Sequence, residues 1–139
     1  MLILALDTTT SSGSVALLDG TRLVAEINAE SATTHSARLL RSVDYLLKSN
    51  GLNIRTIGGF AVAAGPGSFT GIRIGLSTVK AFAFASGVPV APVSSLSALA
   101  LKLRETQGRL FCPLLNAKKG EVFAALFEAQ GNELKETIP

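Results

Sequence analysis

The side chains best suited to chemistry lie in one short polar loop near the start of the chain. Asp7 follows an apolar run and precedes a series of hydroxyl residues, Thr8, Thr9, Thr10, Ser11 and Ser12. A carboxylate with hydroxyls at the carboxyl end of a strand is typical of a phosphate-gripping hairpin in α/β proteins. The same residues are typical of a strand-ending turn in which side chains cap backbone groups. The residues alone leave both interpretations open.

A second loop, GPGSFTGIRIG from Gly65 to Gly75, follows an apolar segment and precedes a helical pattern. Glycine permits close backbone approach, and a helix start presents unpaired N–H groups to an anion. The glycine spacing differs from the dinucleotide-binding G-x-G-x-x-G pattern, and no Gly-Lys-Ser/Thr of a P-loop follows. The loop is therefore either a tight strand-to-helix turn or an anion site of another kind.

The remaining residues offer few candidates for catalysis. One His, His35, and one Cys, Cys112, are too few for an internal disulfide or a zinc site. A serine triad would have to use His35, and the chain has no G-x-S-x-G motif. Cys112 lies in an apolar segment and is predicted to be an unreactive core residue.

Composition and charge restrict the class of protein. The 139 residues are 47% hydrophobic and 17% charged, which indicates a folded domain rather than a disordered chain. A lone Cys and an N-terminus without a basic signal segment predict a reduced, cytoplasmic protein, and no apolar run is long enough to span a membrane. The net charge is +3, and no acid lies between Asp44 and Glu105. This mild basic bias either contacts nucleic acid or is an ordinary solvated surface.

Several strands must position these loops. Apolar and alternating runs predict strands over residues 2–6, 14–18, 22–28, 59–64 and 88–93. Asp19-Gly20 predicts a hairpin between the second and third strands. In the third strand, Leu23, Ala25 and Ile27 are expected on one face, because side chains alternate along a strand.

Helices are predicted between and after these strands. The first covers residues 34–49, is capped by Thr33 or Thr34, and has an apolar stripe of Leu39, Leu40, Val43, Leu46 and Leu47. The second, from Gly71 to Ser86, is small or apolar on most sides. Such a helix is either clamped between its own sheet and the first helix or also forms a subunit interface. The third follows Ser94-Ser95, with one side made of Leu96, Leu99, Ala100 and Leu103.

The order βββαβαβα predicts an α/β fold with a mixed sheet and helices on its faces, because right-handed crossovers extend a sheet that begins with a hairpin. Residues 110–116 and 121–128 then predict another hairpin across Lys118-Lys119-Gly120, followed by polar residues from Ala129. We expect a first subdomain over residues 1–108 and the start of a second over residues 109–139.

Segments along nearly the whole chain resemble one known family, the TsaB (YeaZ) proteins. The residues that carry the resemblance are ILALDTTTSSGSVALLDG, THSARLL, AVAAGPGSFTGIRIGLSTVKAFAFASGVPVAPVSSLSAL and LLNAKKGEVFAALF. The resemblance implies an actin-like ATPase fold, which is ribonuclease H-like. It also implies a role in making threonylcarbamoyladenosine beside the anticodon of tRNAs that read codons starting with A.

In that role, the resemblance implies a non-catalytic partner of the transferase TsaD, which acts together with the ATPase TsaE. The partner is expected to pair through its first two helices, as a homodimer in isolation or with TsaD, and to meet tRNA only indirectly. The implied interface residues are Arg38, Arg41, Ser42, Tyr45, Gly71, Arg73, Ile74, Gly75, Ser77 and Thr78.

The resemblance further implies that the chain lacks the chemistry of TsaD. The metal-binding His pair of that relative aligns with Ser95 and Leu99, which cannot replace imidazole ligands, so no metal, cofactor or catalytic residue is expected. Residues Asp7 to Thr10 are then the remnant of a phosphate loop, and ATP or ADP binding has no full phosphate signature behind it. The alternative is an ATP-handling actin-like enzyme or a protease-like activity.

The chain departs from the family in its length. TsaB proteins contain two actin-like halves, whereas residues 1–108 resemble the first half and residues 109–139 only begin the second. We expect either a fragment or a protein without its second half. In both cases the nucleotide cleft between the halves is incomplete.

Overall fold

The computed structural model describes residues 1–30, 35–103, 109–131 and 133–139. Within them the first elements are β1 (Leu2–Asp7), β2 (Ser12–Asp19), β3 (Arg22–Glu30), α1 (His35–Ser49), a 3₁₀ turn (Ile54–Thr56), β4 (Gly59–Gly65), α2 (Phe69–Ser86), β5 (Val90–Ser94) and α3 (Ser95–Leu103). The later elements are β6 (Leu110–Phe111), β7 (Leu114–Lys118), β8 (Glu121–Ala124), β9 (Leu126–Gln130) and β10 (Glu133–Ile138). The predicted order βββαβαβα is confirmed.

The main sheet is mixed, as predicted, and has the strand order β3-β2-β1-β4-β5. β1 pairs antiparallel with β2 and parallel with β4, which in turn pairs parallel with β5. The carboxyl ends of β1, β4 and β5 therefore meet at one end of the sheet, where both polar loops lie. β5 is at the edge, where Pro92 is tolerated although it has no backbone N–H to donate.

A β-bulge in β3 overturns one expectation. The pairing of β2 with β3 shifts by one residue at Val24, which rotates the strand locally. Leu23 consequently leaves the face that it was expected to share with Ala25 and Ile27, and it is 53% exposed. Val24, Ala25 and Ile27 pack against the core instead. The predicted hairpin before β3 is confirmed, with Gly20 at a φ of 60°.

α1 and α2 cover one face of the main sheet. The cluster that they bury consists of Leu4, Leu6, Val15, Leu17, Leu39, Val43, Leu46, Leu47, Ile57, Phe60, Val62 and Val79. Complete burial of one such side chain contributes about 1.5–3 kcal/mol to stability. Leu40, expected in the same stripe of α1, is instead 50% exposed. Thr33 and Thr34, the predicted caps of α1, lie outside the described residues.

Caps set the boundaries of α2. It begins at Phe69, earlier than predicted, because the Ser68 hydroxyl accepts a hydrogen bond from the Gly71 N–H at 3.2 Å. It ends at Ser86, as predicted, and Gly87 closes it with a φ of 71°. None of the described helices has both the length and the apolar character needed to cross a lipid bilayer.

A second apolar cluster joins α3 to the strands that follow it. Its buried residues are Leu96, Ala100, Phe111, Ala125 and Phe127. Leu99 is half-buried, whereas Leu103, expected on the same side of α3, is 40% exposed. The predicted boundary between residues 108 and 109 falls at the edge of the undescribed segment 104–108 and stays a prediction.

The predicted C-terminal hairpin is only partly right. β7 and β8 form it, whereas β6 pairs with β9 in a separate antiparallel sheet of order β10-β9-β6. β10 comes from polar residues that showed no strand pattern. Cys112 was expected in the core but is exposed, because it falls between β6 and β7 and outside both ladders.

One ion pair ties β9 to the residue before β6. An Arg109 guanidinium nitrogen lies 2.7 Å from the Glu128 carboxylate. The Gln130 amide donates to the same carboxylate at 3.2 Å. The hydrogen bond from Gln130 and the hydrogen bond and charge of Arg109 hold the pKa of Glu128 below its ordinary value.

Candidate functional site

The carboxylate of Asp7 is engaged by its own loop. Its Oδ1 accepts hydrogen bonds from the Thr9 backbone N–H at 2.8 Å and from the Thr9 hydroxyl at 2.7 Å. This is the local turn that an Asp at a strand end favours, because the side chain reaches the backbone two residues on. The strand-ending turn, one of the two interpretations of this loop, is therefore the arrangement that the structure shows.

The hydroxyls after Asp7 are also used inside the chain. Thr8 is 1% exposed and donates from Oγ1 to the Gly71 carbonyl oxygen at 2.6 Å. Thr9 is 3% exposed, and its carbonyl accepts from the Ser68 N–H at 2.6 Å. Thr10 is exposed, and its hydroxyl donates to the Ser12 carbonyl at 2.8 Å. The two polar loops are thus hydrogen-bonded to each other.

The glycines of α2 lie against this loop. Gly71 and Gly75 are buried, and a β-carbon at position 75 would lie 2.6 Å from Thr8 Oγ1 and 3.4 Å from Val62 Cγ2. A β-carbon at position 71 would overlap the Thr8 carbonyl oxygen. Both glycines therefore pack against their own chain, and their place in a partner interface stays a prediction. They are small because α2 must approach its own sheet closely.

Other expected interface residues do reach the surface of α1 and α2. Arg41 and Ser77 are exposed, and Tyr45 is 68% exposed. Arg73 is exposed, and its guanidinium carbon lies 5.5 Å from the centre of the Phe69 ring. These side chains lie on the sides of the two helices that the sheet does not cover.

The rest of the expected interface is half-buried. Arg38 and Ser42 line a cavity of about 10 Å³ above Thr8, and Arg38 donates to the Ser11 carbonyl at 3.4 Å. Ile74 packs partly against the core, and Thr78 is half-buried beside it along the helix.

Several exposed apolar residues on the same helices were not among the expected interface residues. Phe69 is 74% exposed and Phe84 is 94% exposed, while Leu40 is half exposed. Phe69 is four residues before Arg73 and Phe84 is four after Lys80, a spacing that places each pair on one helix face. An exposed aromatic side chain of this size is a common anchor in protein interfaces.

Two shallow grooves flank these side chains. One, of about 290 Å³, runs between α1, the 3₁₀ turn and α2 and is walled mainly by the apolar residues Leu40, Val43, Leu47, Leu52, Ile54 and Phe82. The other, of about 270 Å³, lies along α2 and is lined by Thr70, Arg73, Ile74 and Ser77. Both open on the surface that α1 and α2 present outward.

The two residues that align with the metal-binding His pair of TsaD, Ser95 and Leu99, have no imidazole nitrogen to bind a metal. Ser95 is 5% exposed and its hydroxyl contacts that of Thr9 at 3.5 Å, while Leu99 has no lone pair to offer. In the part of the chain that the structure describes, no group of His, Cys, Asp and Glu side chains is arranged to hold a metal ion.

Comparisons with known proteins show the family to which the chain belongs. A family model described as TsaD, tRNA N6-adenosine threonylcarbamoyltransferase, matches residues 25–139. The tRNA threonylcarbamoyladenosine biosynthesis protein TsaB of Bacillus subtilis (strain 168) is 34% identical over 139 residues, which are 100% of this chain and 60% of that protein. The TsaB protein of Haemophilus influenzae is 37% identical over 122 residues, 87% of this chain and 51% of that protein. The chain therefore spans little more than half the length of these curated relatives.

A solved structure agrees with the sequence comparisons. YeaZ from Pseudomonas aeruginosa superposes with a TM-score of 0.87 at 34% identity, covering 97% of this chain and 63% of that one. The resemblance to TsaB (YeaZ) proteins is thereby confirmed. So is the predicted actin-like, ribonuclease H-like fold.

Proposed function

Because this chain belongs to the family described by the TsaD model, in which it is similar to TsaB proteins, we propose that it acts in forming threonylcarbamoyladenosine in tRNA. Its role there is that of a non-catalytic partner of a TsaD-type transferase that works with the ATPase TsaE. It meets tRNA indirectly, through that transferase.

The outward surface of α1 and α2 carries this proposal. Tyr45, Phe69 and Phe84 are each more than two-thirds exposed on helices whose other faces are fixed to the sheet. Burying one such ring against a partner gains about 1.5–3 kcal/mol. A face with several exposed aromatic side chains is therefore better suited to binding a protein than to remaining in water.

The closed hydroxyl loop supports a non-catalytic role. The Thr8 hydroxyl donates a hydrogen bond to a backbone carbonyl, and Asp7 Oδ1 accepts hydrogen bonds from the backbone N–H and the hydroxyl of Thr9. Opening this loop to a phosphate would break the hydrogen bonds from the Thr8 hydroxyl to the Gly71 carbonyl and from the Ser68 N–H to the Thr9 carbonyl, each of which contributes about 0.5–1.5 kcal/mol.

Reconstitution tests the proposal directly. Purified chain is mixed with a TsaD-type transferase at micromolar concentration and run on a size-exclusion column with multi-angle light scattering. We expect a heterodimer, and we expect a smaller homodimer peak when the chain is run alone. Modification of tRNA by TsaD and TsaE should then depend on added chain. Absence of any complex at this concentration would contradict the proposal.

Calorimetry with Mg-ATP separates this role from the alternative of an ATP-handling enzyme. The alternative is motivated by Asp7 and the hydroxyls that follow it. We expect no tight binding and no turnover by the chain alone. Tight binding accompanied by turnover would overturn the non-catalytic role, even if a complex with TsaD also forms.

A further inference from the structure

The partner-facing surface of α1 and α2 is positively charged. Its exposed charged side chains are Arg41, Asp44, Lys48, Arg73 and Lys80. Lys48 and Asp44 neutralise each other through an ion pair of 2.8 Å. Along the described ranges, no ion pair engages Arg41, Arg73 or Lys80. These three side chains leave the surface with uncompensated positive charge.

Each of these three cations is four residues away, along its own helix, from an exposed aromatic residue. Arg41 is four residues before Tyr45, Arg73 is four after Phe69, and Lys80 is four before Phe84, a spacing that brings side chains together on a helix. For Arg73 and Phe69 the structure shows the contact, at 5.5 Å from the guanidinium carbon to the ring centre. On each helix, the charge and the exposed ring therefore share one face, and a partner must match them together.

A second copy of the chain matches this surface poorly. A twofold homodimer places the same patch of each copy against its mate, so two patches of the same net positive charge face each other. Such juxtaposition of like charges disfavours the complex. Nucleic acid would match the charge, but it would leave the apolar groove walls, such as Leu40 and Phe82, without apolar partners. Three scattered cations are also sparser than the clusters that bind nucleic acid.

We propose that the partner of this surface is an acidic protein face, with carboxylates placed opposite Arg41, Arg73 and Lys80 around an apolar centre. This inference rests on the proposed function and deepens it, since it states the chemistry of the TsaD-type surface that docks here. It also explains why that complex is preferred to the homodimer. Charge complementarity adds to the apolar contact in one case and opposes it in the other.

Salt titration of both assemblies tests the proposal. The dissociation constant of the heterodimer with a TsaD-type transferase and that of the homodimer are measured between about 0.05 and 0.5 M NaCl, where screening becomes strong. We expect the heterodimer to weaken with salt and the homodimer to stay constant or tighten. A heterodimer whose affinity is independent of salt would overturn the acidic partner while leaving the proposed function intact.

Charge reversal supplies the second arm. Arg73→Glu combined with Lys80→Glu is expected to weaken the heterodimer roughly tenfold or more. Lys102→Glu, the same change on the exposed face of α3, is the matched control and should have no effect. Circular dichroism confirms that each variant is folded. An unchanged heterodimer in the double variant would contradict the proposal.

A tRNA arm distinguishes the competing class of partner. The isolated chain is titrated with unmodified tRNA in filter-binding assays at the same salt concentrations. We expect that the native chain shows no tRNA binding that is lost in the double variant with Arg73→Glu and Lys80→Glu. Tight, steeply salt-dependent binding that the double variant abolishes would assign the basic surface to nucleic acid and overturn the acidic protein face.

Discussion

The hydroxyl of Thr8 donates a hydrogen bond of 2.6 Å to the carbonyl oxygen of Gly71, which fastens the first turn of α2 to the end of β1. Both groups are buried, and the two residues are 63 positions apart in the chain. The orientation of α2, and with it the surface that α2 presents outward, therefore depends on a side chain at the start of the protein.

Replacing Thr8 by Val should destabilise the chain. The substitution keeps the shape of the side chain but removes its donor and places a methyl group against the Gly71 oxygen, which costs about 1–3 kcal/mol. Thr10→Val is the control, because Thr10 is exposed and its change should stay within about 0.5 kcal/mol. Urea unfolding followed by circular dichroism measures both. Equal midpoints for the two variants would show that the bond contributes nothing.

Gly75→Ala should also destabilise the chain, although alanine is the better helix former by about 1 kcal/mol. The new β-carbon would lie 2.6 Å from Thr8 Oγ1, which is held in place by its bond to Gly71. We expect a net loss of about 1–3 kcal/mol from overpacking. Ser77→Ala, on the exposed side of α2, should be neutral.

A double variant identifies the cause of that loss. Thr8→Ala removes the oxygen that the new β-carbon would meet, so Gly75→Ala should cost less in a Thr8→Ala background than in the native chain. Strictly additive losses would show that the Cβ–Oγ1 contact is not the origin of the destabilisation.

Truncation of the exposed rings should weaken partner binding without affecting stability. Phe84→Ala and Tyr45→Ala remove side chains that are 94% and 68% exposed, so the fold loses little. If these rings are anchors, each variant should lose about 2 kcal/mol or more of affinity for the TsaD-type partner. Val122→Ala, at an apolar position of β8 that is 60% exposed, is the control. Calorimetry that shows the same affinity for all three would move the interface elsewhere.

Cys112 should react quickly with a thiol reagent in the folded protein. It is a free, exposed thiol that lies between β6 and β7. We expect one equivalent of label at native pH, at a rate near that of an unstructured peptide, and none in Cys112→Ser. Protection that disappears only in urea would instead support the core position first expected from the sequence.

Acid should remove the contribution of Glu128 to stability. Its pKa is lowered in the folded chain, mainly by the hydrogen bond from Gln130 and by Arg109. A lowered pKa stabilises the fold above the ordinary carboxyl range, and that stability is lost as the pH falls through the folded value. Glu128→Gln should therefore lower the melting temperature at pH 7 and matter less at pH 3. Glu133→Gln, on the exposed start of β10, provides the control, and a pH-independent difference would contradict this origin.

The sequence predicted the elements of the main sheet and its helices because their patterns are long and local. The stripe of α1 extends from Leu39 to Leu47, about two and a half turns, and Gly87 ends α2 where it was predicted to end. The bulge at Val24 was not predictable, because the alternation of apolar and polar residues in β3 does not show where its pairing with β2 shifts by one residue.

Pairing over long distances was harder to predict. The apolar runs around Cys112 and Ala125 look continuous, yet the structure divides them between two sheets. The polar strand β10 has no pattern of its own and exists because β9 offers it an edge. Gly71 and Gly75 show the same difficulty in the site, because a helix glycine gives the same sequence pattern whether it packs against its own chain or against a partner.

The hydrogen bonds of Thr8 and Thr9 also indicate at which stage of folding the outward surface of α1 and α2 reaches its final arrangement. Thr8 meets Gly71 across 63 residues, and Thr9 meets Ser95 across 86. Such closures cost more chain entropy than the β1–β3 hairpins do and are expected to form after them. Helix α2 is therefore expected to take its final position only after the main sheet has assembled. Until then, Tyr45 on α1 is not held in its final position relative to Phe69 and Phe84 on α2.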